Sequence, residues 1–290
     1  MTTGPITSTV RRVDGPQQSF RGAWTSLVVA AGILTSSAYG LLAAHPYRDL
    51  PHETILAAKA QDVCSILVAV LLVFLSVRTS AKAHLVRLGL LAYVAYSYAI
   101  YLTGIPMNRM FLVYVFLVSI SGAAFLHGVM RLRPAAWPRI DSRRLEGGTG
   151  WMLVIVAVLF AGLWLTALLP FAFGGSTPSP EGPGGVAYPV FILDLVVVLP
   201  CIAAVGVMLV RGHPIAGPLA AVALIKIVTL FAALWAGVAV GLVEDGDVTL
   251  GPDAGPSLAL LLISMALVYR WLRVLSPHED SFVRPRLWIS

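Results

Sequence analysis

Eight apolar stretches follow one another between about residue 24 and residue 275, with the charged residues gathered mostly between them. Each approaches the roughly 20 residues that a helix needs to cross about 30 Å of hydrocarbon. The runs predict spans at about 24–43, 60–77, 86–104, 110–130, 150–172, 190–210, 217–240 and 256–275. They are continuous rather than alternating, which points to helices and away from membrane strands. With 58% apolar and 12% charged residues, a 290-residue chain lacks the charge to cover a water-facing globule, so lipid is the solvent for most of it. The fold class expected is all-α: a polytopic transmembrane helix bundle of about eight helices over 23–275, with tails at 1–22 and 276–290. The first run exceeds the roughly 7–15 apolar residues of a signal peptide and reads as an anchor.

Basic residues set the expected orientation, because cytoplasmic segments hold an excess of Lys and Arg. On the eight-span map, 16 fall on the side of the two tails and three (Arg48, Lys59 and Arg109) on the other. Both termini are therefore expected in the cytoplasm of a cell-membrane protein. The same placement explains the net charge of +6 without nucleic acid, which is not expected as a partner. Cys64 and Cys201 read as small core residues inside spans, with no disulfide.

Span two opens with Gln61-Asp62 and span six with Leu193-Asp194, each followed by an apolar stretch and then Arg78 or Arg211. This suggests two four-helix repeats in parallel orientation, 24–130 and 150–275, related by an axis along the membrane normal.

Asp62, Asp194 and Lys226 are the ionisable side chains at or inside the hydrocarbon boundary. A charge there costs about 3 kcal/mol on insertion scales, so each should face the interior and find a partner. An Asp194–Lys226 pair, direct or through water, is one expectation, and it reads first as a structural ion pair, then as part of a substrate or proton pathway, and last as a reactive lysine. Around Asp62 the sequence gathers Gln61, Tyr98, Tyr101, Asn108 and Arg109, with Arg109 the expected partner of Asp62 and Tyr101 an interfacial belt residue. Tyr93 and Tyr96 share a helix face, and their hydroxyls need partners inside the bundle. Pro200 predicts a kink near Asp194–Leu199. Ser119, Ser121, Gly122 and Ala123 suit close helix contact on span four. His45, His52, Asp49 and Glu53 read as a solvated loop sooner than as a metal or proton site. Walker, zincin, Cys-x-x-Cys, nucleophile-elbow and EF-hand patterns do not occur, so no catalytic residue, metal or cofactor is assigned.

Gln61-Asp62, the run Tyr93-Val-Ala-Tyr-Ser-Tyr-Ala-Ile-Tyr101, Asn108, Phe111-Leu-Val-Tyr114, and Leu193-Asp194 with Pro200 and Lys226 together resemble a group of uncharacterised bacterial multi-pass membrane proteins. The resemblance covers spans two to seven and implies a membrane location without an assigned activity. Costly intramembrane charge favours transport or binding of a small solute or ion at an outward-facing polar site, built from Gln61, Asp62, Tyr93, Tyr96, Tyr98, Asn108, Arg109, Asp194 and Lys226. The alternatives are a non-catalytic membrane subunit docking a protein partner through the 131–149 loop or the carboxy-terminal tail, and an intramembrane enzyme acting on lipid or quinone.

Overall fold

With no water to bond exposed peptide groups, a segment in hydrocarbon must satisfy its backbone internally, and each apolar run does so as a helix. A computed structural model describes residues 16–43, 46–47, 50–132, 143–176, 188–246, 250–251 and 254–275, the side chains of 16–22 and 188 excepted. Among these residues there is helix and no strand. The helices are α1 (Pro16–Leu42), α2 (His52–Ser76), α3 (Ala81–Gly104), α4 (Phe111–Met130), α5 (Arg143–Ala172), α6 (Tyr188–Leu193), α7 (Leu199–Val210), α8 (Ala216–Asp245) and α9 (Ala254–Val274). A π-helical turn, Asp194–Val198, joins α6 to α7, and together they make one span. Eight helical segments are long and apolar enough to cross a membrane, so the chain is a polytopic α-helical membrane protein. An even number of spans brings residues 23 and 274 to the same face of the bundle, called here the terminal face.

Helix ends differ from the hydropathy map where polar residues prolong the helix. α2 begins at His52, eight residues before the expected 60, and α8 runs on to Asp245. The polar additions satisfy one another: Lys59 Nζ lies 2.7 Å from Glu244, and His52 Nε2 lies 3.0 Å from Asp245. Lys59, Glu244 and Asp245 are thus helix residues rather than loop residues. Ser80 caps α3 by accepting from the Ala83 amide at 3.2 Å, and Gly246 ends α8 at φ +72, a left-handed geometry that favours glycine.

α3 and α8 cross at the centre. A Cβ on Gly89 would stand 2.5 Å from Ile225 and 3.2 Å from the Val222 carbonyl, so glycine permits this approach. α1 packs on α2 and α3 on α4, while α5 packs on α7 and α8 on α9. α8 also touches α2, and α3 touches α6. At the α5–α7 contact Gly150 and Gly206 face each other, each lying where a Cβ would press on the other's carbonyl, at 2.8 and 2.7 Å. Two cores result, one within α1–α4 and reaching Ile225, the other within α5–α9 and reaching Leu85 and Leu88 of α3. Large exposed side chains such as Leu67, Phe74, Leu159 and Leu262 face outward, as lipid contact requires.

On α4 the small residues act differently from expectation. Nothing approaches within 4 Å of a Cβ on Gly122, Ser119 and Ala123 are exposed, and buried Ser121 bonds back to its own helix at the Leu117 carbonyl. Cys64 is buried, but Cys201 is exposed on the bundle exterior, so only the first is a core residue; both are free thiols.

Candidate functional site

The π turn positions Asp194. Pro200 lacks an N–H and its ring crowds the carbonyl four residues back, so an ordinary α-helical register cannot run through it. The chain widens instead, with the Leu199 amide bonding to the Asp194 carbonyl five residues earlier. The expected kink is therefore this π turn, and it begins at Asp194, which is buried at 5% exposure. The Tyr96 hydroxyl of α3 donates to Asp194 Oδ1 at 2.9 Å, and the Trp164 indole N–H of α5 donates to Oδ2 at 2.9 Å. Phe191 and Phe160 meet Trp164 edge-on at 5.6 and 6.0 Å between ring centroids, and Phe231 of α8 meets Phe160 at 6.1 Å.

Lys226 does not bond directly to Asp194. Its Nζ lies 3.8 Å from the centroid of the Tyr96 ring, and among the described residues it has no hydrogen-bond partner. Tyr96 therefore touches both charged residues, presenting its π face to the ammonium and its O–H to the carboxylate. The lysine is 6% exposed, so its cation is carried by the ring quadrupole and by the field of the nearby carboxylate.

Asp62 forms a second cluster. It lies ten residues past the start of α2, about 15 Å along the axis, and is 1% exposed. Its partner is Tyr47, whose hydroxyl donates to Oδ2, and not Arg109, which is exposed. Burial and the adjacent Asp62 carboxylate push the Tyr47 phenol upward from its usual range, which keeps it an O–H donor. α1 can lie against this pair because residue 40 is glycine, where a Cβ would overlap both Asp62 Oδ2 and the Tyr47 oxygen. Tyr101, expected in the aromatic belt, is 3% exposed and donates to the Ala58 carbonyl at 2.8 Å. It stacks with Tyr98 at 5.5 Å and meets Tyr114 at 5.3 Å. Ser36 donates to the Ile33 carbonyl, which leaves its oxygen to accept from Tyr98 at 2.7 Å.

Between the clusters, the Gln61 amide donates to the Tyr93 hydroxyl and to Ser65 Oγ, the latter at 3.3 Å. Asn108 sits in the turn before α4, accepting from the Met110 amide at 2.8 Å and reaching Tyr114 at 3.4 Å. Compared with protein-family models, curated proteins and solved structures, the chain matches none of them.

Of the nine residues expected at one site, the structure brings Asp194, Tyr96 and Lys226 together. It places Asp62 and Tyr98 in the other cluster, with Gln61 and Tyr93 bridging towards it, Asn108 as a turn residue and Arg109 outside. Sequence reasoning missed Trp164, Tyr47 and Ser36. A tryptophan well inside a span was the available signal, since a buried indole N–H needs an acceptor. Among the described residues no three His, Cys, Asp or Glu gather as a metal-binding group. His45, Asp49 and Arg48 lie outside the described residues, as do most of the 131–149 loop and the 276–290 tail.

Chemically, the Asp194 cluster sets a carboxylate held by two neutral donors beside a cation whose N–H donors lack an acceptor among the described residues. That imbalance can hold a polar group, and both charged residues sit where a core of hydrocarbon side chains would be cheaper.

Proposed function

We propose that this protein binds and moves a small solute or ion across the cell membrane, with Asp194, Tyr96 and Lys226 as the central site and the Asp62–Tyr47 cluster as a second polar station. The observation that carries this reading is Lys226, buried in the bundle and, among the described residues, without a hydrogen-bond partner and not bonded to Asp194. A purely structural ion pair would close the 3.8 Å lysine–ring geometry into a direct contact, because direct contact recovers more of the cost of burying both ions. The excess of Arg and Lys on the terminal face supports cytoplasmic termini and a site facing outward.

The pattern of helix contacts also supports two parallel repeats. α1–α2 corresponds to α5–α7, α3–α4 to α8–α9, and α2–α8 to α6–α3, about an axis at the α3–α8 crossing. Under that operation Asp62 and Asp194 occupy equivalent helices, which makes them counterpart stations.

The test is a panel of proton, alkali cation, amine, amino acid and monocarboxylate jumps over proteoliposomes on a solid-supported membrane. Wild type is expected to give a charge or pH transient with at least one solute, and D194N and K226M to lose it while remaining inserted. Currents equal to those of empty liposomes across the whole panel, or full responses in both variants, overturn the reading. A stoichiometric partner retained in mild detergent and lost on trimming residues 276–290 would instead favour a docking subunit.

A further inference from the structure

We infer that the ligand of the Lys226 site is a small organic anion, a monocarboxylate whose oxygen takes the lysine N–H donors. This rests on the binding reading above and narrows it to a chemical class. The two charged groups at the site are unequally served. Asp194 already accepts at both oxygens, from Tyr96 and Trp164, each at 2.9 Å. Lys226 carries three N–H donors and, among the described residues, has no acceptor, although 94% of it is shielded from solvent. What the site lacks is therefore an acceptor, and the acceptor that suits a lone desolvated ammonium is an anionic oxygen. One negative charge balances one ammonium. A dianion would add a second negative charge beside Asp194, at a distance where like charges repel strongly in a medium of low polarity.

The surroundings favour an organic ion over a bare inorganic one. Tyr96 covers one side of the ammonium, and the aromatic series Trp164, Phe191, Phe160 and Phe231 continues from the Asp194 side to α8, the helix that bears Lys226. Surroundings this apolar suit an organic anion, whose body loses less hydration on burial than a bare inorganic ion does. A cationic ligand is disfavoured, because Lys226 would repel it and Asp194 has its first acceptor position on each oxygen filled.

The experiment uses the full chain purified in detergent and follows thermal unfolding by tryptophan fluorescence. It is titrated with potassium propionate and potassium benzoate, with potassium chloride at matched ionic strength and with ethylammonium chloride. At least one carboxylate is expected to raise Tm saturably. K226M should weaken that response at least about tenfold, the effect expected for one charged hydrogen bond, and K226R should retain part of it. D194N should bind the carboxylate as tightly or more tightly, since it removes a like charge. This sign separates the anion reading from its rivals even if K226M fails to fold.

No saturable response to either carboxylate overturns the inference. So does a response abolished by D194N and kept by K226M. A saturable response to ethylammonium that depends on Asp194 would overturn it while leaving the transport reading intact. Carboxylate binding in detergent together with silent proteoliposomes would uphold it and refute transport.

Discussion

Tyr96 serves both charges of the site with different parts of one side chain, and substitution can remove those parts separately. Tyr96→Phe deletes the hydroxyl that donates to Asp194 at 2.9 Å and keeps the ring that lies 3.8 Å from Lys226 Nζ. A hydrogen bond to a charged group contributes about 1.5–3 kcal/mol, and a desolvated cation–π contact about 2 kcal/mol. Tyr96→Phe should therefore cost about 1.5–3 kcal/mol, and Tyr96→Leu about 2 kcal/mol beyond that. At about 2–4 °C per kcal/mol, the first variant loses roughly 3–12 °C in Tm and the second clearly more. The assay is thermal unfolding in detergent of Y96F, D194N and the double variant, closed as a cycle. A coupling energy above about 1 kcal/mol is expected for residues in direct contact. Additive effects, within about 0.5 kcal/mol, would show that the Tyr96–Asp194 bond contributes nothing. Equal losses in Y96F and Y96L would remove the ring from the account of Lys226.

Gly40→Ala should destabilise by about 2–5 kcal/mol, because its methyl overlaps Asp62 and Tyr47 and the overpacking adds to a lost charged hydrogen bond. Gly122→Ala, where nothing lies within 4 Å, should be neutral, and the pair is read by Tm in one detergent. Gly206→Ala places its Cβ 2.7 Å from the Gly150 carbonyl, a backbone atom that cannot swing aside, so α5 and α7 must separate at a cost of at least about 1–3 kcal/mol. Lys59→Ala should change stability by no more than about 1 kcal/mol, because Glu244 is 42% exposed and such pairs are screened; the small effect should shrink further in high salt.

What the sequence makes legible depends on which physical quantity decides each feature. Eight spans are readable because burying a helix in lipid depends on a sum over some 20 side chains, and that sum tolerates a misplaced residue. Helix ends are not set by that sum. α2 starts at His52 because His52 and Lys59 meet Asp245 and Glu244 at the end of α8, a partnership between residues nearly two hundred positions apart. Partners of buried charges are harder still. Depth along the axis suggested Arg109 for Asp62, but partnership also needs the right rotation about each helix, and that rotation turns Asp62 towards Tyr47. Tyr101 shows the same limit, since its position near a helix end suits the belt while its azimuth faces the bundle. For Asp194 the sequence marked Tyr96 as a hydroxyl in need of a partner without naming the carboxylate, and Trp164's only mark was depth inside an otherwise apolar span.

Both buried carboxylates receive neutral donors rather than cations, Asp62 from Tyr47 and Asp194 from Tyr96 and Trp164. A carboxylate paired directly with lysine would leave an uncompensated buried ion whenever it took up a proton, whereas a phenol and an indole stay neutral. An anion held at Lys226 would stand beside the Asp194 charge, so removing that charge in D194N should tighten carboxylate binding; titration calorimetry of wild type and D194N decides it, and weaker binding in D194N would show that the aspartate itself helps to hold the anion.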